Sequence, residues 1–154
     1  MRIRALDDGD GVLLRLATWW NVNWNRERFT VADVDADPHL AAYHRTAPEF
    51  GFVSTAGDDA TGVVWVTLFP ADAPGYGFVR TGVPELSVCV LPGYRGAGLG
   101  GELVRAAVAE ARRRALPALC LSVEEGNPAR RLYERLGFVP AQGAGAGTLV
   151  RELG

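Results

Sequence analysis

The residues with the plainest capacity for chemistry run from Arg95 to Gly101, Arg-Gly-Ala-Gly-Leu-Gly-Gly, with glycine at four of the last six positions. Glycine reaches backbone conformations closed to other residues, and without Cβ atoms its N–H groups can converge on one point. Ahead of the loop, Leu86, Val88 and Val90 alternate with Ser87, Cys89 and Leu91, the period of a strand. Pro92 lacks an N–H for a sheet ladder and ends that strand. Behind the loop, Leu99, Leu103, Ala107 and Ala111 recur every four residues, as on one face of a helix. Such a strand–turn–helix junction collects N–H donors at the positive end of a helix dipole, so the expected ligand is a phosphorylated cofactor. A glycine turn used only for tight strand–helix packing is the plainer alternative.

Three phosphate-binding patterns compete for this segment. A Walker-type loop needs a lysine and a hydroxyl residue after its last glycine, and Glu102 stands there instead. Gly96, Gly98 and Gly101 formally match the dinucleotide fingerprint G-x-G-x-x-G, with Glu124 roughly where a ribose-binding acid sits. Pro92 to Arg95 intervene between strand and fingerprint, however, and only 53 residues follow Gly101, against the long β/α series of that fold. The third pattern takes in the whole segment. Arg95 to Gly100 has the form R/Q-x-x-G-x-G/A and follows a strand of the form L-x-V-x-V-x-P. About 30 residues later comes a second block, Asn127 to Phe138, Asn-Pro-Ala-Arg-Arg-Leu-Tyr-Glu-Arg-Leu-Gly-Phe.

Together the two blocks closely resemble the acetyl-CoA site of the GNAT superfamily of N-acetyltransferases, well over residues 86–139 and in general layout before them. The resemblance implies an enzyme that moves acetyl from acetyl-CoA directly to a primary amine, with no covalent enzyme intermediate and no metal. It implies that Arg95, Gly96, Ala97, Gly98, Leu99, Gly100 and Gly101 hold the pyrophosphate. It further implies that the preceding strand splays from its neighbour, so that backbone groups of Val88, Cys89 and Val90 meet the pantetheine arm. One N–H there faces the thioester oxygen. Tyr133 matches the tyrosine that protonates the departing thiolate, although its ring also suits core packing. Asn127 and Tyr133 are six positions apart where many relatives have seven, which leaves Asn127 as a helix cap, a pantetheine contact or both.

The base is the weak point of the match. Some relatives carry a glutamate five residues before the asparagine, and this chain has Ser122. Glu85, entering the cofactor strand, is the better candidate, its other reading being a strand-end surface acid; Glu124 and Glu125 are reserves. The missing glutamate keeps a second class of function in view, a sensor module that holds acetyl-CoA without turning it over. A dinucleotide-dependent oxidoreductase is third. Trp19, Trp20 and Trp24 lie where relatives cover the acceptor site, and interleaved with Asn21 and Asn23 they read as a pocket wall or as core. The acceptor itself, a small-molecule or peptide amine, is not legible, and the family allows a homodimer.

These residues need a scaffold, and the pattern along the chain supplies one. Residues 1–6 read as a strand, and Asp7, Asp8 and Asp10 can cap a helix signalled by Val12, Leu13, Leu14 and Leu16. A short helix runs through Leu40 and Tyr43, and residues 50–55 and 62–69 form a hairpin over a Gly57-Asp58-Asp59 turn. After the long helix, Leu119, Leu121 and Val123 alternate as a strand. Helix 128–136 follows, with Asn127 as cap, Pro128 at its first position and Gly137 as its stop. Phe138-Val139 and residues 148–153 form the last strands, joined by a loop over 142–147. The expected fold class is α/β (α+β), a mixed and mostly antiparallel central sheet with helices on both faces, as one domain over residues 1–154.

Composition adds bounds. The 154 residues are 48% hydrophobic and 22% charged, with a net charge of −2, so bulk charge favours neither nucleic acid nor a membrane surface as partner. Arg112-Arg113-Arg114 reads as a solvated helix end, and His39 and His44 as surface or capping residues. Cys89 and Cys120 lack metal-ligand spacing and read as buried free thiols, which implies a reducing compartment. With no apolar leader core at the N-terminus, the expected location is cytoplasmic.

Overall fold

A computed structural model describes residues 1–154. Its seven strands are β1 (Arg2–Ala5), β2 (Phe50–Ala56), β3 (Asp59–Thr67), β4 (Glu85–Val90), β5 (Ala118–Ser122), β6 (Val139–Pro140) and β7 (Thr148–Glu152). They form one sheet in the order β1-β2-β3-β4-β5-β7-β6, antiparallel throughout except where β4 runs parallel to β5. The helices are α1 (Gly11–Val22), α2 (Val31–Ala36), α3 (Pro38–Arg45), α4 (Leu99–Arg113) and α5 (Ala129–Arg135). The mixed, mostly antiparallel sheet and the two-sided helical cover match the expected fold.

The cover follows from side-chain period. On α4, Leu99, Leu103, Val104, Ala107, Val108 and Ala111 are buried against Phe50, Val64, Val66 and Leu86 of the sheet. On the other face, Leu14 and Ala17 of α1 pack on Val53, Val63 and Trp65. Alternating residues of one strand therefore feed two cores, Val64 and Val66 to one, Val63 and Trp65 to the other. Ahead of α1, Asp7 and Asp10 form a reciprocal capping box around a 3-10 turn at Asp8–Asp10, and Arg4 grips Asp10 through two 2.8 Å hydrogen bonds.

Four local expectations change. Helix α2 is an addition, set by a second capping box between Thr30 and Asp33. α4 starts at Leu99 rather than Glu102, so Gly100 and Gly101 belong to its first turn. α5 spans Ala129–Arg135, yet Asn127 still caps it by accepting the Ala129 N–H at 3.0 Å. His44 is no surface histidine: its side chain is 7% exposed and lies 3.3 Å from Asp35, because the short helix α3 turns it inward against α1 and α2. Cys89 and Cys120 are buried free thiols, and no helix is long and apolar enough to cross a membrane.

Candidate active site

The site is created by a failure of pairing. Strand β4 matches β3 along six residues, from Gly62↔Val90 to Thr67↔Glu85, but meets β5 at a single pair, Glu85↔Cys120. Beyond Glu85 the two strands diverge and leave a cleft of about 1040 Å³. The Leu91 N–H donates to Thr61 O at 2.9 Å, which fixes the antiparallel alternation. Glu85, Ser87, Cys89 and Leu91 turn their backbone groups to β3, whereas Leu86, Val88 and Val90 turn theirs toward β5. The Leu86 position meets β5; at Val88 and Val90 no strand answers. Both residues are half-buried on the cleft wall, where a ligand can take up the main-chain positions a strand would have used. Of the three residues expected to offer backbone, Cys89 is thus turned away, its side chain in the α1 core.

At the outer end of β4 stands the glycine loop. Gly96 and Gly98 have φ of +86° and +79°, and Gly98 serves as the left-handed N-cap of α4. A Cβ on either would meet nothing within 4 Å, so both project into open space. Gly100 and Gly101 lie against Leu132 of α5: a Cβ would sit 3.3 Å from it at Gly100, a tight fit, and 3.4 Å from it at Gly101, an ordinary contact. The free first-turn N–H groups of the 15-residue α4 therefore face the cleft with its dipole behind them. Arg95 folds back and donates through Nε to Val90 O at 3.0 Å. Arg95, Gly96, Gly98, Leu99, Gly100, Gly101 and Asn127 all line the cleft, while the exposed Ala97 does not.

At the inner end lies Glu85, 4% exposed and on the cleft wall. Tyr43 of α3 donates its hydroxyl to Glu85 Oε2 at 2.5 Å, and the Gly77 N–H donates to Oε1 at 3.0 Å. Burial pushes the Glu85 carboxyl up to about 7, with those two hydrogen bonds holding it back. Tyr43 is itself fixed at both ends. Its carbonyl accepts the Trp65 indole N–H at 2.8 Å, and its hydroxyl accepts the Tyr76 N–H at 2.8 Å. Its phenol is pushed up by burial first and then by Glu85.

Between the two ends, Tyr133 of α5 reaches the cleft, half-buried and edge-on to Phe138. Burial raises its phenol, with a smaller push from Cys89. Cys89 is raised to about 11 by burial, against the pull of Arg95, and stays a thiol. Trp20 and Trp24 line the cleft and Trp19 does not. Trp19 instead donates to Phe29 O at 2.8 Å and packs on Trp20, 4.5 Å between ring centroids. Trp24 Nε1 is sealed from solvent and has no partner.

The segment after α1 also ties the cleft shut on one side. Arg28 donates to both carboxylate oxygens of Glu124, at 3.1 and 2.5 Å, and to Val22 O. Glu124 is thus an exposed loop acid that carries an ion pair, and Ser122 lies on the cleft wall without a charge. No group of three or more His, Cys, Asp or Glu side chains gathers for a metal ion.

No local pattern in the sequence marks Tyr43, Tyr76, Arg28 or Asp37 as cleft residues. Tyr43 reads as an ordinary helix tyrosine, and nothing in the pattern joins it to a residue 42 positions away. For Arg28 the only available signal was its nearness to the tryptophans.

A sequence model of the acetyltransferase (GNAT) family matches residues 13–138. Over 67 residues the chain is 33% identical to the ribosomal protein bS18-alanine N-acetyltransferase of Haemophilus influenzae, a match covering 42% of this chain and 46% of that protein. The match thus spans less than half of that relative's length. The structure is similar to yncA, a putative acetyltransferase from Salmonella typhimurium with its cofactor acetyl-CoA, at TM-score 0.69 and 24% identity over 100% of this chain and 94% of the other. It is also similar to a ribosomal-protein-alanine N-acetyltransferase from Brucella melitensis, at TM-score 0.66 and 23% identity over 99% and 100%.

Proposed function

The chain belongs to the GNAT acetyltransferase family, and from that premise we propose that it moves acetyl from acetyl-CoA directly to a primary amine. The observation that carries the proposal is the cleft opened at the Glu85↔Cys120 pair, with a glycine-fronted helix at one end and a buried carboxylate at the other. The residues fit the donor: first-turn N–H groups of α4 for pyrophosphate, and the backbone of Val88 with the Val90 N–H, which no strand pairs, for an extended amide-bearing arm. Acetyl-CoA supplies the activated acyl thioester; the chain supplies position and protons.

Glu85 removes a proton from the acceptor ammonium. A carboxyl near 7 is largely ionised just above neutrality and still basic enough for the task. Val88, whose N–H points into the cleft, donates to the acyl oxygen as charge develops there. Tyr133 gives its proton to the departing sulfur and regains one from solvent; burial keeps its phenol protonated until the thiolate forms. Trp20 and Trp24 bound the acceptor side. A base so placed argues against the binding-only sensor, which relied on the missing acid at Ser122.

Thiol release with acetyl-CoA and a panel of amines tests the proposal, alongside thermal shifts with CoA and with NAD. Turnover together with stabilisation by CoA alone is expected. Binding without turnover for any amine yields the sensor, and equal stabilisation by NAD removes the donor assignment.

A further inference from the structure

Resting on the transfer reading above, we infer that the acceptor is a cationic amine carried on an apolar, aromatic-sized body without a carboxylate. The acceptor half of the cleft lies beside Glu85, away from the glycine loop. Its wall includes Trp20, Trp24, Phe29, Leu40, Tyr43 and Tyr76. Six apolar or aromatic side chains leave little there for a polar metabolite to bond.

The charges on that wall have one sign to spare. Asp37 lies on it and uses Oδ1 to cap α3, accepting from His39 N at 2.9 Å and Leu40 N at 3.3 Å, with Oδ2 outside that cap. Burial raises the Tyr76 phenol, with Asp37 adding to the shift. Tyr76 runs nearly parallel to Tyr43, 6.2 Å between centroids, with His39 stacked on it at 3.7 Å, and Tyr43 holds Glu85. Two carboxylates thus flank a pair of stacked tyrosines, an arrangement suited to an ammonium with ring faces beside it.

No cation balances them. All 16 basic residues of the chain are arginines, and three of these reach the cleft. Arg28 is consumed by Glu124 and Val22 O, Arg95 by Val90 O beside the glycine loop, and Arg135 stands on α5. An amino acid or a chain-terminal carboxylate would enter with nothing to receive it and two acids to repel it. Carboxylate sites are built from forked arginine contacts; of the three arginines only Arg135 is unpaired, and it stands on α5 rather than on the segments that carry Asp37, Tyr43 and Tyr76.

The test pairs acceptors that differ only in the carboxylate. With acetyl-CoA saturating, 2-phenylethylamine is expected to exceed L-phenylalanine in kcat/KM by ~10²-fold or more, and tryptamine to exceed L-tryptophan similarly. Spermidine, cationic without an apolar body, and an alanine-led peptide are expected below the arylalkylamines. Asp37→Asn keeps the capping oxygen while removing the charge. It should raise the KM for 2-phenylethylamine about tenfold, narrow the gap to phenylalanine and leave the CoA Kd unchanged. Phenylalanine, spermidine or the peptide matching the arylalkylamines would overturn the inference, as would an Asp37→Asn enzyme with unaltered selectivity. CoA binding without turnover of any acceptor defeats the transfer reading instead, so the two failures are distinct.

Discussion

At its outer end the cleft offers main chain: N–H groups of an α4 turn in which positive φ calls for glycine at Gly96 and Gly98, and Gly100 packs closely on Leu132. At its inner end it offers side chains from separate segments, Asp37 and Tyr43 from the α3 region, Trp65 from β3, Tyr76 from a loop and Glu85 from β4. On the proposed function the outer end would bind the donor common to every reaction of the family, for which backbone suffices. The inner end must choose an acceptor and hold a proton, which takes side chains of particular kinds at particular depths. A ligand's generic part is met by the fold, and its particular part by tertiary assembly.

The comparison breaks most sharply at Glu85. Glu85→Gln preserves shape and should lower kcat/KM by ~10³-fold, within the range of a positioned base, with CoA affinity unchanged. In the wild type the ascending limb of kcat/KM against pH should show an apparent pKa near 7, and in the variant it should vanish. Stability carries the opposite sign. The folded-state pKa is raised from 4.5, so the carboxyl's contribution is full below about 4.5 and is lost as pH rises through about 7. The loss is roughly 3 kcal/mol, from about 2.5 pH units at 1.36 kcal/mol each. Urea titrations at pH 5 and pH 8 should show the wild type losing ground to Glu85→Gln at the higher pH.

The outer end has its own breaking point. Gly98→Val puts a β-branched side chain at φ +79° and into the open space before α4. CoA affinity should fall by ~10²-fold or more, with about 1–2 kcal/mol of stability lost to backbone strain. Gly98→Asn, which tolerates the left-handed region, should remain near wild-type stability and still bind CoA poorly. Calorimetry of both variants separates obstruction from strain.

Tyr133→Phe lies between the ends and should cost kcat ~10²-fold while leaving CoA binding and Tm nearly unchanged. The loss should shrink with acyl donors whose thiols are more acidic. Wild-type turnover, with chemistry rate-limiting, would return Tyr133 to the core it shares with Phe138. The mildest effect belongs to Tyr43→Phe. Its hydroxyl lowers the Glu85 carboxyl, so its loss should move the ascending limb above 7 and reduce kcat about tenfold at neutral pH. An unmoved limb would show that Tyr43 serves only to hold α3 on the sheet.

The same contrast explains what was legible beforehand. The glycine loop, its strand and its helix lie within 29 consecutive residues, so periodicity and turn chemistry expose them together. Strand and helix types elsewhere followed from local pattern for the same reason. The acceptor end has no such compactness. Glu85 reads as a strand-end acid until Tyr43 and Gly77 are seen around it, and both contacts depend on how the loop between β3 and β4 folds back. Trp19 and Trp20 are neighbours in sequence, yet a helix sends adjacent residues in different directions, one to the Phe29 carbonyl and one to the cleft. Composition could name the tryptophans but not sort them.

One feature of the sheet reaches beyond catalysis. Strands β1–β4 and β5–β7 are two hydrogen-bonded halves whose ladders join at a single residue pair. The acyl donor, lying along Val88 and Val90, would act as the missing length of strand and splice the halves together. Such coupling ties the lifetime of the polypeptide to its co-substrate: where the donor is scarce, the seam opens more often, and a protease finds it. Starvation for acetyl groups would then reduce the amount of the enzyme as well as its rate, and the fold would meter its own abundance.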